Sequence, residues 1–141
     1  MLAREELPRL GMPAPVCLHT PLIPGLDGKK MSSSKGNNIS VDEPAADIEK
    51  KIMAAFCPAK VVLDNPVTEI FKYHIFPRVE EVVVRRPAKF GGDVSYSKYE
   101  EMEADFKAGS LHPMDMKKAA ASYLIEILEP VRAKVGEWRA F

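Results

Sequence analysis

The stretch of sequence with the clearest chemical potential is PGLDGKKMSSSKGNN, residues 24–38, which we call the KMSSS loop. It combines lysines, serine hydroxyls and glycines and has no apolar period, so it is predicted to be a loop. Ammonium groups, hydroxyls and free backbone N–H groups are the donors that hold phosphate oxygens. A polyphosphate is therefore the natural ligand, although a solvated turn would have the same composition. The Walker A spacing of glycine, lysine and Ser/Thr is absent from this sequence.

A second group of residues has the types that read a nucleobase. Phe90 stands in KFGGD, and His112, Met114 and Asp115 stand in LHPMD. Two flat rings and a carboxylate at turns can sandwich an unstacked base and read its edge. A carboxylate only accepts hydrogen bonds, so Asp115 suits the adjacent N–H donors of guanine. Each residue also has a structural interpretation, with Phe90 in the core, His112 in a turn and Asp115 as a helix cap.

The elements that must position these residues are mostly helices. Residues 2–10 are typical of a short helix, and Asp42 with Pro44 marks the start of another. Apolar residues at every fourth position give this second helix one buried face, formed by Ile48, Ile52 and Phe56. A third helix is predicted between Asn65 and Pro77. Its inward face consists of Val67, Ile70, Phe71, His74 and Ile75.

A hairpin and two further helices follow. Residues 79–87 have the β-branched density of a strand, and residues 94–96 are its predicted partner across the KFGGD turn. Ser97 and Glu100 form a capping box for the next helix, which a glycine ends. The last helix is predicted to start near Pro113, with an apolar stripe that faces a core. The fold class is therefore mainly α with a small β-hairpin.

Composition excludes several classes of protein. The chain has 141 residues, of which 46% are apolar and 28% charged, so it can bury a core. Its 20 basic and 20 acidic residues give no global positive field, so any nucleic-acid binding must use a local patch. Cys17 and Cys57 lack metal-ligand spacing, which fits a reducing cytoplasm and no bound metal or organic cofactor. The sequence has neither a signal-peptide core nor an apolar run that could span a membrane.

The string KMSSS, followed by Lys and Gly, resembles a known signature. It comes after residues 16–19, which are predicted to form one buried strand between two prolines, and before a capped helix. In this setting it resembles the KMSKS loop of class I aminoacyl-tRNA synthetases. With PGLDGKKMSSSKGN around it, the match is similar to tyrosyl-tRNA synthetases of the archaeal and eukaryotic type.

That resemblance implies that the loop closes over ATP, the substrate, which is bound with Mg²⁺. The implied ATP-binding residues are Lys30, Met31, Ser32, Ser33 and Ser34. Lys30 would be the main catalytic donor, stabilising the charge that moves onto pyrophosphate, an effect typically worth about 3–4 kcal/mol. Ser33 stands where the family pattern has a second lysine, so either Lys29 or Lys35 supplies the second cation.

The segment HPMD, followed by a basic and alanine-rich helix, resembles the anticodon-binding domain of the same family. The resemblance implies that Phe90, His112 and Asp115 grip the first anticodon base, a guanine in tyrosine tRNA, with Met114 beside them. Stacking of one base on an aromatic ring is worth about 1–3 kcal/mol. Lys117 and Lys118, which follow on the predicted helix, are interpreted as a solvated face rather than as RNA contacts.

The segment Phe56-Cys57-Pro58 also matches the family, which has an aromatic-Cys-Pro turn near the other anticodon bases. By resemblance, Cys57 and Pro58 therefore join the predicted anticodon site. A core phenylalanine followed by an inert buried cysteine would give the same three letters.

The resemblance covers essentially the whole chain and divides it into two parts. Residues 1–41 would be the end of a Rossmann catalytic domain that carries the KMSSS loop, and residues 42–141 a mostly helical anticodon-binding domain. The family's adenosine signature and tyrosine pocket belong to a half N-terminal to residue 1, so the ATP site is incomplete and the chain is expected to be inactive alone. The implied partners are tyrosine tRNA, that catalytic half and a second subunit in a homodimeric parent enzyme, without a membrane.

Three alternatives stay open at this point. One is the equivalent part of a tryptophanyl-tRNA synthetase, which shares the loop, although HPMD together with Phe90 argues against it. Another is a freestanding RNA-binding module in which the loop is a relic. The third is a helical scaffold with no role in RNA binding.

Overall fold

The computed structural model describes residues 2–139, and the side chains of residues 3–135. Within these residues the chain forms five α-helices and one antiparallel hairpin, which confirms a mainly helical fold with a small sheet. The helices are α1 (Leu2–Arg9), α2 (Ala45–Ala54), α3 (Pro66–Ile70), α4 (Tyr99–Ala108) and α5 (Pro113–Arg139). The strands are β1 (Val82–Val84) and β2 (Val94–Tyr96). None of the helices in this part of the chain has the length and apolar character needed to cross a bilayer.

The core lies where α2, α3 and the hairpin pack against the first half of α5. The predicted four-residue spacing on α2 is confirmed for Ile48 and Ile52, which are fully buried. Opposite them, α5 contributes small and flexible side chains, so that the two helices approach closely. The fully buried residues at the centre include Phe71, Ile75, Val82, Val84, Met102, Phe106, Met116 and Ala120.

Phe56 departs from the predicted buried face of α2. The helix ends at Ala54, because Ala55 adopts an extended backbone conformation with φ −60° and ψ 149°. This turns the chain away from the helix axis, and the Phe56 side chain is 48% exposed. Its backbone N–H donates to the Leu26 carbonyl at 2.7 Å. The chain leaves the helix to make this contact, and helical spacing cannot predict it.

The helix α3 starts directly after Asn65, as predicted. The Asn65 side chain accepts a hydrogen bond from the Val67 N–H at 3.0 Å, and Pro66 takes the first helical position. The helix continues as a π-helical turn over Phe71–Ile75 and stops before Pro77, as expected. Its predicted inward face is buried except for His74, which is half-buried. Burial, followed by the charge of Arg78, lowers the pKa of His74.

The hairpin forms with Val82 opposite Tyr96 and Val84 opposite Val94. Strand β1 is shorter than the predicted residues 79–87. On its outer edge, one backbone N–H finds its hydrogen-bond partner on a helix. The Tyr123 hydroxyl of α5 accepts the Val83 N–H at 2.9 Å, which docks the sheet on the helix.

The predicted capping box at the start of α4 is wrong. The helix begins at Tyr99, so the N-cap residue is Lys98, whose side chain makes no capping hydrogen bond. The shift moves Ser97 out of the position from which its hydroxyl could reach the third helical N–H. Gly109 ends α4 as expected, with φ 87°.

The predicted buried strand at residues 16–19 is also wrong. The described chain has no strand between residues 12 and 25, and Val16 and Leu18 are 100% and 93% exposed. A strand needs a neighbour for its backbone N–H and C=O groups. Among the described residues the strands of the hairpin pair only with each other, so no neighbour is present here.

We predict that Phe106→Ala lowers the free energy of unfolding by about 3–5 kcal/mol, because a fully buried ring is replaced by a cavity. Phe90→Ala is the matched control, since that ring is 61% exposed, and it should cost about 0.5 kcal/mol or less. Urea unfolding of both variants measures the difference. Equal losses of unfolding free energy in the two variants would show that Phe90 is a core residue.

Candidate functional site

The KMSSS loop is shaped by one buried side chain, Asn37, which the sequence analysis did not single out. Its Nδ2 donates to Asp27 Oδ1 at 2.8 Å and to the Lys30 carbonyl at 3.2 Å. Its Oδ1 accepts the Ser32 N–H at 2.8 Å. The amide thus fixes the backbone on both sides of Met31. Burial of this asparagine cannot be seen in the sequence, so no signal was available there. In the folded chain its buried amide needs several partners and finds them within the loop.

The first turn of the loop is closed by backbone contacts around the same amide. Gly25 N–H donates to the Lys29 carbonyl at 2.6 Å, and Leu26 N–H donates to the Asn37 carbonyl at 2.8 Å. A Cβ at Gly25 would lie 2.4 Å from Asn37 Nδ2, so only glycine leaves room for the amide. The hydrogen bond from Asn37, followed by the one from Lys29 N–H, lowers the pKa of Asp27. The aspartate is therefore an anionic acceptor within the loop.

The polar groups predicted to bind ATP face outward on this frame. Lys30 and Lys35 are exposed, and neither takes part in the ion pairs found among the described residues. Ser33 and Ser34 begin a short 3₁₀ helix, and the Ser34 hydroxyl shares a 2.9 Å hydrogen bond with that of Ser32. Two free cations and two hydroxyls on a fixed turn can receive a polyanion.

Met31 lies apart from these polar groups. It lines a mainly apolar cavity of about 200 Å³ between the loop and the helices, together with Ile39, Ile70, Leu124 and Leu128. Lys30 is exposed and Ser32 is partly buried, whereas Met31, although 44% exposed, covers part of this apolar surface. Of the predicted ATP-binding residues, Met31 alone lines this cavity.

Both ends of the KMSSS loop are attached to α2 or to the segment that follows it. Lys51 Nζ donates to the Asn38 carbonyl at 3.0 Å at one end. At the other, Phe56 N–H binds Leu26, and the Phe56 ring lies on Gly28, where a Cβ would come within 2.8 Å of the ring. Gly28 also has φ 73°, so glycine is required there for two reasons.

The second group of predicted residues comes together in one cavity of about 510 Å³, which we call the Phe90 cleft. Phe90, His112, Met114 and Asp115 all line it. Four cationic side chains complete its wall, namely Lys60, Arg86, Lys89 and Lys118. Cys57 and Pro58 do not line the cavity, although the next two residues, Ala59 and Lys60, do. The cleft is the local basic patch that a neutral chain needs to bind nucleic acid.

Arg86 builds the cleft by joining the hairpin turn to the start of α5. Its Nε donates to the Gly92 carbonyl at 2.9 Å and its Nη1 to the Ser110 carbonyl at 2.8 Å. Its own N–H binds Asp93 Oδ1 at 2.9 Å. The sequence analysis missed this residue. Arg86 lies two positions beyond the buried Val84. Side chains of a strand alternate between its two faces, so the two-residue period places Arg86 on the same face as Val84, and this period was the available signal.

The environments of Phe90 and Asp115 exclude the structural interpretations given to these two residues. Phe90 is 61% exposed, with Lys89 Nζ at 4.9 Å from its ring centre, so it is not a core residue. His112, not Asp115, caps α5, because His112 Nδ1 accepts the Met114 N–H at 3.2 Å. The cap therefore uses neither His112 Nε2 nor the Asp115 carboxylate, which lies in the first helical turn.

Lys117 and Lys118 differ in their environments. Lys117 Nζ donates to the Met53 carbonyl at 3.1 Å, so the predicted solvated face is wrong for this residue. Lys118 is exposed and lines the Phe90 cleft. Nearby, Asn65 Nδ2 contacts Cys57 Sγ at 3.5 Å, and burial is the main cause that raises the pKa of the Cys57 thiol.

Known proteins match this chain along most of its length. The family described as tRNA synthetases class I (W and Y) matches residues 1–129. A tyrosine–tRNA ligase of Archaeoglobus fulgidus is 60% identical over 136 residues, and one of Methanopyrus kandleri is 55% identical over 137 residues. Each alignment covers 96% of this chain and 42% of the relative, so the chain spans less than half the length of these curated relatives.

Solved structures agree with the sequence matches. The crystal structure of the Archaeoglobus fulgidus tyrosyl-tRNA synthetase, complexed with L-tyrosine, matches with a TM-score of 0.89 over 94% of this chain and 41% of that one. The tyrosyl-tRNA synthetase of Aeropyrum pernix matches at 43% identity with a TM-score of 0.80, over 93% of this chain and 38% of that one. The chain therefore belongs to the class I tRNA synthetases of the W and Y type. Within that family it belongs with the tyrosyl-tRNA synthetases of the archaeal type.

We predict that an alkylating reagent at neutral pH modifies Cys17 at least about tenfold faster than it modifies Cys57. Cys17 is exposed, whereas Cys57 is half-buried and its raised pKa lowers the thiolate fraction. Mass spectrometry of Cys17→Ser and Cys57→Ser follows each thiol separately. Faster labelling of Cys57 would show that its surroundings open in solution.

Proposed function

We propose that this chain acts as the C-terminal part of a tyrosine–tRNA ligase, which attaches tyrosine to its tRNA with consumption of ATP. In this proposal residues 1–41 belong to the catalytic domain and residues 42–141 form the anticodon-binding domain. The observation that carries it is the convergence of Phe90, His112 and Asp115 in one basic cleft. The names of the relatives agree with it and do not favour the tryptophanyl alternative or a freestanding module.

The KMSSS loop is assigned to ATP, which carries Mg²⁺ as it binds. As the carboxylate of tyrosine attacks the α-phosphate, negative charge moves onto the pyrophosphate. Lys30 stabilises that charge as an exposed cation on a turn that Asn37 holds in place. Either Lys35 or Lys29 supplies the second cation, since both side chains are exposed on the same loop. The hydroxyls of Ser32, Ser33 and Ser34 provide the neutral donors.

The Phe90 cleft is assigned to the first anticodon base. Phe90 offers an exposed ring on which guanine stacks, and Asp115 accepts its adjacent N–H groups. Because Nδ1 of His112 is occupied by the Met114 N–H, Nε2 is the nitrogen that can carry a proton toward the RNA. Lys60, Lys89 and Lys118 at the wall neutralise the phosphates around the base.

Cys57 and Pro58 are assigned to the neighbourhood of the other anticodon bases, since the chain passes directly from them into the cleft wall at Ala59 and Lys60. Their contribution is to shape the backbone. A half-buried thiol with a raised pKa is a packing group and not a reactive one.

Residues 12–24 are assigned to the contact with the remainder of the ligase. Val16, Leu18 and Leu22 are almost completely exposed and share one face of an extended chain. Such a row is suited to pairing with a neighbouring strand in a sheet. The relatives, which are more than twice as long as this chain, have the additional residues that such a sheet requires.

The proposal predicts that Asp115→Asn weakens binding of the tyrosine-tRNA anticodon stem-loop by about 1–3 kcal/mol, since the amide cannot accept from both guanine donors. Binding of a stem-loop with cytosine at the first anticodon position should change little. Glu126→Gln, an exposed acidic position on the same helix, is the matched control. Fluorescence anisotropy measures the affinity of the unmodified chain and of both variants for the two stem-loops, and thermal melting checks folding. Equal weakening by both substitutions, or no preference for guanine in the unmodified chain, would contradict the assignment.

A further inference from the structure

The two candidate sites meet at one short segment, residues 55–58. Ala55 ends the buried face of α2, Phe56 contacts the KMSSS loop, and Cys57 and Pro58 lead to the wall of the Phe90 cleft. The loop and the cleft are otherwise carried by different parts of the chain. A segment that touches both within four residues is a physical connection between them.

On the loop side, the connection is made by Phe56 with two kinds of contact. Its N–H donates to the Leu26 carbonyl at 2.7 Å, and its ring lies directly on the backbone of Gly28. Gly28 stands between Asp27, which binds Asn37, and the lysines that face solvent. The position of the ring therefore determines the turn from which Lys30 projects.

On the cleft side, the segment is fixed by α3 and α5. Asn65 Nδ2 contacts Cys57 Sγ at 3.5 Å and also donates to the Val61 carbonyl at 2.8 Å. Lys117, two residues beyond Asp115 on α5, holds the Met53 carbonyl at the end of α2 at 3.1 Å. A displacement of the first turn of α5 by a bound base thus reaches Met53, three residues before Phe56.

The backbone near Phe56 is constrained as well. Lys60 and Asp64, on the loop that leads from Pro58 to Asn65, have φ of 65° and 55°, which non-glycine residues rarely adopt. The aliphatic part of Lys60 crosses Gly109, where a Cβ would lie 2.5 Å from Lys60 Cε. Such backbone conformations persist only where the surrounding structure holds them, so this loop has little freedom to absorb a displacement locally.

We infer that Phe56 is a positioning residue, whose ring couples occupancy of the Phe90 cleft to the order of the KMSSS loop. Gly28 at φ 73° and Gly36 at φ 63° are the positions at which the loop backbone is free to change conformation. RNA in the cleft stabilises the end of α2. The Phe56 ring, which then keeps its position, stabilises the turn at Gly28. The inference rests on the proposed function, because it assumes that the cleft binds the anticodon.

Amide hydrogen exchange of this chain, with and without the anticodon stem-loop, tests the inference. The stem-loop should slow exchange in residues 24–38 by about fivefold or more, the lower end of typical couplings between sites. Phe56→Ala should abolish that response while stem-loop affinity changes by less than about twofold. Phe56→Tyr retains the ring and should restore the response. Val131→Ala, at an apolar position of similar exposure far along α5, should leave both readouts unchanged.

The outcomes separate this inference from the proposed function. A stem-loop that binds without slowing exchange in residues 24–38 overturns the coupling and leaves the cleft assignment standing. A response that persists in Phe56→Ala, or a loss of RNA affinity in that variant, also overturns it, the latter because Phe56 would then be an RNA contact. Failure of the unmodified chain to bind the stem-loop removes both. If Phe56→Ala does not fold, Gly28→Ala, which pushes the ring away from the loop side, must abolish the response instead.

Discussion

The packing of α2 against α5 is the constraint on which both candidate sites depend. Ile48 and Ile52 are buried in it, and Lys117 closes its end through the Met53 carbonyl. His112 and Asp115 stand at the start of α5, whereas the KMSSS loop is held by Lys51 of α2 and by Phe56, two residues beyond the end of that helix. Because each helix serves one site and the two share a core, neither site can be displaced without affecting that packing.

The two candidate sites differ from the rest of the chain in their local charge, although the chain as a whole has no net charge. The chain has equal numbers of acidic and basic residues, yet four cationic side chains line the Phe90 cleft and two free lysines stand on the loop. Asp27 is anionic inside the loop frame, where its two hydrogen bonds lower its pKa. The lysines of the loop and of the cleft are exposed and form none of the ion pairs found among the described residues, whereas Arg86 is held by two backbone carbonyls.

Features with local causes were predictable from the sequence, and features that depend on distant partners were not. The start of α3 after Asn65 and the end of α4 at Gly109 arise from one residue and its neighbours, so they were predicted correctly. The strand at residues 16–19 needed a partner strand, and Phe56 left the α2 face to bind Leu26. Motif spacing identified Phe90, His112 and Asp115. It could not show that they converge, because the bridge through Arg86 depends on the folded hairpin.

The most direct test of the central claim, that the cleft receives the anticodon, is a methyl NMR titration of the methionine-labelled chain with the anticodon stem-loop. Met114 lines the cleft, whereas Met102 is fully buried away from it and serves as an internal reference. The account predicts a saturable shift of the Met114 methyl signal with Met102 unchanged. A titration that leaves Met114 in place while RNA binds, or that shifts both signals equally, would contradict it.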